Sequence, residues 1–150
     1  MKKEQVFLFF SALLLIGCKV DPEPINYGTD GCRFCSMTIV DRQHAAQIVT
    51  KKGKAYKFDA TECMLHYLNE LETAQIALYL VNDYNTPSEL IDATKATYLI
   101  SPGIPSPMGA FLTAFSTHEE AAFAQEGHTG TVYSWPALLT HFKTTNVYNK

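Results

Sequence analysis

The chain has 150 residues, 47% of them hydrophobic and 18% charged, with a formal net charge of -3. That length gives one domain, or two small halves sharing a core. The charge pattern excludes a nucleic-acid partner, because the only basic run is Lys51-Lys52-Gly53-Lys54, which reads as a hairpin turn with solvated charges.

Lys2-Lys3 precedes an apolar run from Val6 to Ile16, broken only by Ser11, and then Gly17-Cys18. A basic start, a short apolar stretch and a small residue before a cut describe a secretory signal. The run falls short of the roughly 20 residues that a membrane-spanning helix needs. Leu15-Ile16-Gly17-Cys18 resembles the lipobox of bacterial lipoproteins, in which cleavage falls before the cysteine and lipid is attached to it. The resemblance implies a signal peptide over residues 1–17, lipidation at Cys18 and a lipidated N-terminus and tether over residues 18–30. A folded domain is then expected over residues 31–150. The protein is expected as a membrane lipoprotein facing the periplasm, and Lys19, where an Asp would retain it, favours the outer membrane over the inner. With Cys18 set apart, Cys32, Cys35 and Cys63 remain. An odd thiol count outside the cytoplasm leaves one thiol paired elsewhere, reactive or metal-bound.

Taken in order, Thr38 to Asp41 reads as the beginning of a strand, because it is β-branched and apolar. Residues 45–50 and 55–59 flank the Gly53 turn, which predicts a β-hairpin with Tyr56 and Phe58 on one face. Met64, Leu65, Tyr67, Leu68 and Leu71 fall at helical spacing, predicting a helix over 61–72 capped by Asp59 or Thr61. Cys63 lies in its first turn, where the helix dipole favours a thiolate. Residues 77–81 and 97–100 read as strands, and 102–109 as a loop, since its three prolines forbid a ladder. A strand over 111–115, a helix over 117–125 capped by Thr117 and ended by Gly127, a strand over 131–133 and a helix over 135–142 complete the chain. Phe58-Asp59 with Leu65-His66-Tyr67, and Tyr133-Ser134 with Thr140-His141-Phe142, echo one another at an offset of 75 residues. The echo points to two related halves.

Cys32-x-x-Cys35-x-Met37 packs three sulfurs into six residues. Thiolates with a thioether select Cu(I), whereas thiolates alone also suit zinc. Rival readings stay open. Cys32 and Cys35 form a redox pair in a periplasmic thiol–disulfide oxidoreductase, or Cys32, Cys35, Cys63 and His66 hold a structural zinc. Met37 is otherwise a core filler. Met108, between Pro107 and Gly109 in the proline-rich loop where a core role is harder to arrange, reads either as a preorganised ligand or as packing.

These residues resemble the NosL family of copper-binding lipoproteins. The likeness runs through Cys32-x-x-Cys35-x-Met37, Ala45-Ala46-Gln47-Ile48, Lys57-Phe58-Asp59, Cys63-Met64 and Pro107-Met108-Gly109, in matching order. It implies an α+β fold of two related ββαβ-type halves, similar to the metal-binding part of organomercurial lyase. It also implies a non-enzymatic Cu(I) metallochaperone serving the copper sites of nitrous oxide reductase. The implied partners are an ABC-type transporter and periplasmic maturation factors for that reductase. The implied metal residues are Cys35, Met37 and Met108, with Cys32 and Cys63 as further candidates. One departure stands out: Ser36 occupies the position before the motif Met where the family has Gly, so a backbone angle suited to glycine would be strained there. A lyase-like enzyme is the third reading, and no acid beside the cysteines supports it from sequence.

Overall fold

The computed structural model describes residues 20–145, so the signal segment and Cys18 lie outside the described residues. The chain runs β1 (Ala46–Thr50), β2 (Ala55–Phe58), α1 (Thr61–Leu68), a 3-10 turn (Thr73–Gln75), β3 (Ile76–Asn82) and β4 (Leu90–Asp92). It continues with β5 (Thr97–Ile100), β6 (Leu112–Phe115), α2 (His118–His128), β7 (Thr131–Ser134) and α3 (Trp135–Thr145).

The expected hairpin forms because Gly53 adopts a φ of 80° and donates its N–H to the Thr50 carbonyl at 2.8 Å. Ile48 then faces Tyr56 across the pair. β3 pairs with the other side of β1, giving an antiparallel sheet of order β2-β1-β3-β4. The second sheet, also antiparallel, has the order β6-β5-β7. In each sheet the first strand of the half is central, the second lies on one side, and the strand after the helix lies on the other. The fold is therefore α+β with two ββαβ halves. Topology matches β2–α1 with β6–α2, whereas the sequence echo had matched β2–α1 with β7–α3. Aromatic–polar and His–aromatic pairs recur too easily to set that register.

One core serves both halves. Ile48, Phe58, Met64 and Val81 from the first pack with Tyr98, Leu112, Trp135 and Leu138 from the second. α1 lies on β1 and β2 and reaches β6 of the other half. Seven of its eight residues are buried, so even its polar side chains are inside the molecule. A smaller cluster of Leu99, Ile104, Phe115 and Ala121 sits between the second sheet and α2.

Several elements differ from expectation. Thr38 to Asp41 forms no strand, only an isolated bridge from Thr38 to Gly31, because the chain turns back on itself there. α1 ends at Leu68, and the 3-10 turn intervenes before β3. It has Ala60 as N-cap, with no side chain capping it. β4 is three residues long, too short for its period to be read. Thr117 does cap α2, in a capping box with Glu120, but Gly127 lies inside that helix and Thr129, at a φ of 59°, ends it.

Part of the expected tether is also folded against the domain. Gln47, fully buried on β1, accepts the Glu23 N–H at 2.9 Å and donates to the Glu23 carbonyl at 2.8 Å. Lys57 donates to the Pro24 carbonyl at 2.7 Å and pairs with Asp30 at 2.7 Å. Tyr27 donates its hydroxyl to Asn82, and both Ile25 and Tyr27 lie on the main core. The two prolines, which read as tether composition, here hold an extended arm in place. Replacing Gln47 by Leu removes both hydrogen bonds to Glu23 and lowers stability by about 1–3 kcal/mol in urea titrations. Amide exchange at residues 23–27 quickens with it; a slack tether would show neither change.

Candidate metal centre

The segment Gly31 to Thr38 is a closed loop. The Cys32 N–H donates to the Met37 carbonyl at 2.7 Å, and the Ser36 N–H to the Cys32 carbonyl at 3.0 Å. Outside these, the Ile39 N–H reaches the Asp30 carbonyl at 2.9 Å. The closure puts Ser36 at a φ of 65°, the left-handed region expected from the family's glycine. Both residues between the thiols pin the loop to the domain. Arg33 donates its N–H to the Lys57 carbonyl at 2.8 Å, and its guanidinium lies over Tyr56 and Tyr67 at 5.6 and 5.8 Å. Phe34 stacks on His66 of α1, with centroids 5.4 Å apart.

So held, the loop turns Cys32 and Cys35 towards the start of α1. The thiol sulfurs of Cys32, Cys35 and Cys63 and a carboxylate oxygen of Asp59 all lie within 4.8 Å of one another. Cys32, Cys63 and Asp59 are buried and Cys35 is half-buried. The Cys35 thiol donates to Asp59 Oδ1 at 3.4 Å. Asp59, expected as a helix cap, is instead the carboxylate of the thiol cluster. Its place immediately after β2 and two residues before α1 is the signal that reads equally well as a cap.

The thiols do not share their protons evenly. The Cys63 thiol donates to Cys32, and with the amides of Cys35 and Asp59 it holds the Cys32 pKa down to about 6 against burial. Burial pushes Cys35 up to about 11, although the Met37 amide favours its thiolate. Cys63 is pushed well above the usual thiol range, first by its hydrogen bond to Cys32 and then by burial. The sequence expectation that the helix start makes Cys63 the acidic thiol is thus reversed. Cys63 is the donor, and the thiolate it supports is Cys32.

Met37 is 56% exposed on the solvent side of the loop. Met108 is half-buried on the main core, centred in a turn where the Gly109 N–H donates to the Ser106 carbonyl at 3.0 Å. Ser106 in turn donates its hydroxyl to Glu62, the residue before Cys63, so the Met108 loop is fastened to the helix start. Met64 is fully buried in the core. His66, the fourth ligand of the zinc reading, stacks on Phe34 and meets Phe142 edge-on, and Asp59 takes its place in the cluster. His44 belongs to the scaffold, with Nδ1 on Asp41 at 3.1 Å and Nε2 on Thr113 at 3.3 Å.

Three thiols and a carboxylate gathered before any metal arrives suit a thiophilic ion, since binding need only displace protons and not rebuild the loop. Ultraviolet thiolate absorbance should show a first step near pH 6 that is lost in Cys32→Ser and moves upward in Cys63→Ala. A thiol pKa held below its unfolded value adds stability above that value, and the stability is lost as pH falls. The metal-free wild type should therefore lose stability relative to Cys32→Ser as pH falls from about 9 to about 6. Ser36→Gly relieves the left-handed angle, less the entropy glycine adds to the unfolded chain, and should stabilise the domain by about 0.5–1 kcal/mol in chemical denaturation.

The sequence profile described as NosL matches residues 25–140. The crystal structure of the copper chaperone NosL from Shewanella denitrificans superposes with a TM-score of 0.69 over 79% of this chain and 95% of that one. Sequence identity between the two is 22%, so the superposition bears on the fold alone. No curated protein sequence matches the chain. Together with the cysteine loop and the paired ββαβ halves, the profile match over most of the chain places this protein in the NosL family.

Proposed function

We propose that this protein is a Cu(I) metallochaperone, not an enzyme, carrying copper outside the cytoplasm for assembly of the copper sites of nitrous oxide reductase. The observation that carries the reading is the preformed cluster of Cys32, Cys35, Cys63 and Asp59 in a chain of the NosL family. The solved relative is described as a copper chaperone, which agrees with it. Cu(I) is the oxidation state that this sulfur chemistry favours.

Cys35 is the pivotal ligand, because it is the one half-buried thiol of the cluster beside two buried ones. Met37 and Met108 complete its set, and Cys32 and Cys63 supply the thiolate-rich interior. Thioethers are weak donors, so a ligand set ending in them holds copper and releases it by exchange. Cys18 is the lipid attachment point, keeping the protein at a periplasm-facing membrane, the outer more than the inner. The partners are the ABC-type transporter and periplasmic factors of reductase maturation.

One observation favours the rival thiol–disulfide oxidoreductase: the lowered pKa of Cys32. Yet Cys32 is 4% exposed, and a nucleophile that attacks another protein's disulfide must be reachable. That reading requires a Cys32–Cys35 reduction potential above about -300 mV and indifference to both methionines.

Anaerobic competition with a Cu(I) chelator should give one tightly held copper per chain. The Met37→Ala, Met108→Ala double variant should bind more than about a hundredfold more weakly. Unchanged affinity in that variant, or no binding by the wild type, removes the proposal.

A further inference from the structure

Glu62 is an unusual residue for the interior of this domain. It lies on α1, between Thr61 and Cys63, and is 0% exposed. Its Oε1 accepts the Ser106 hydroxyl, while Oε2 is buried without a hydrogen-bond partner. Putting a carboxyl in such a place is costly, and an apolar residue would fill the same space at no such cost. A group of this kind is retained when something else depends on it.

What depends on it is legible in the chain order. Ser106 opens the turn Ser106-Pro107-Met108-Gly109, closed by the Gly109 N–H on the Ser106 carbonyl at 3.0 Å. Pro107 restricts the turn from within. The turn belongs to the β5–β6 connection of the second half, whereas Glu62 belongs to α1 of the first. Ala110, just beyond the turn, packs on the main core, so the chain is held on both sides of Met108. Met108 is bracketed.

We propose that Glu62 is a positioning residue for Met108: by accepting the Ser106 hydroxyl it fixes the Met108 turn against the helix that carries Cys63. The inference rests on the reading of Met108 as a copper ligand. Glu62 does not touch the metal in this account. It acts through Ser106, as outer partners of metal ligands do when they hold a ligand in its productive place. Without the clamp, Met108 remains on the protein but is no longer presented to the site, so the copper keeps its thiolates and loses a thioether.

The test uses Cu(I) itself, with the variants Ser106→Ala, Ser106→Thr, Glu62→Gln, Met108→Ala and the Ser106→Ala, Met108→Ala double. Anaerobic chelator competition should show Ser106→Ala weakening Cu(I) binding about tenfold, with Ser106→Thr and Glu62→Gln close to wild type because each keeps the donor and the acceptor. Copper K-edge absorption should count one sulfur fewer in Ser106→Ala. The double variant should bind no more weakly than Met108→Ala alone, because a clamp has nothing left to hold. Additive losses in the double variant, or a Ser106→Ala protein with a lower melting temperature but wild-type affinity and sulfur count, overturn the clamp and leave Met108 as a ligand. Wild-type affinity in Met108→Ala overturns the ligand assignment, and the clamp with it.

Discussion

The candidate metal centre depends on one closure, the Cys32 N–H held by the Met37 carbonyl at 2.7 Å. In an extended chain, residues three apart are separated by about 10 Å, too far for both thiols to meet a third group. Here the sulfurs of Cys32 and Cys35, with those of Cys63 and the Asp59 oxygen, fall within 4.8 Å. The closure costs a left-handed angle at a serine, and the surrounding structure overcomes that cost by gripping Arg33 and Phe34. The residues between the cysteines are thus anchors, and the Cys-x-x-Cys spacing works because its middle is held from below.

That closure also decides which thiol ionises. A helix N-terminus favours a negative charge by about 0.3–1 kcal/mol at exposed sites. A hydrogen bond to a charged acceptor is worth about 1.5–3 kcal/mol. Cys63 has the helix start, yet Cys32 collects the Cys63 thiol and two backbone amides, so the direct hydrogen bonds outweigh the dipole. A thiophilic metal arriving at this set would meet the Cys32 thiol already disposed to ionise and would displace protons from the others it engages.

The same comparison explains what the sequence made legible. The sulfur spacing, the odd thiol count and the Pro107-Met108-Gly109 turn can be read because each is local, and the hairpin and the Thr117 cap belong to the same class. Asp59 could not be distinguished from a helix cap, because a carboxylate before a helix has two uses and only the folded loop shows which applies. The acidity of Cys63 does not follow from the helix dipole, because that treats a thiol alone and here its neighbours decide. Thr38 to Asp41 has the composition of a strand, but its pairing with residues 28–31 stops at one isolated bridge. Residues 23–30 have the composition of a tether, yet Gln47 and Lys57 are long-range partners that composition does not reveal.

The shortened tether changes what a lipid at Cys18 would do. Glu23 is tied to β1 through Gln47, so the span from Cys18 to Glu23 is five residue steps, with only Lys19 to Pro22 between them. Fully extended, that reaches no more than about 17 Å. A long tether would let the domain tumble and sample partners in any orientation. A short one restricts it to a layer close to the bilayer. The arm that imposes this restriction runs directly into Gly31 and the cysteine loop, since Asp30 accepts both the Lys57 ammonium and the Ile39 N–H through its side chain and backbone respectively. With Cys18 lipidated as proposed, the segment that carries the anchor's constraint is continuous with the loop that carries Cys32 and Cys35. Met37, 56% exposed, lies on the solvent side of that same loop, so an exchange through it as proposed would need little chain motion.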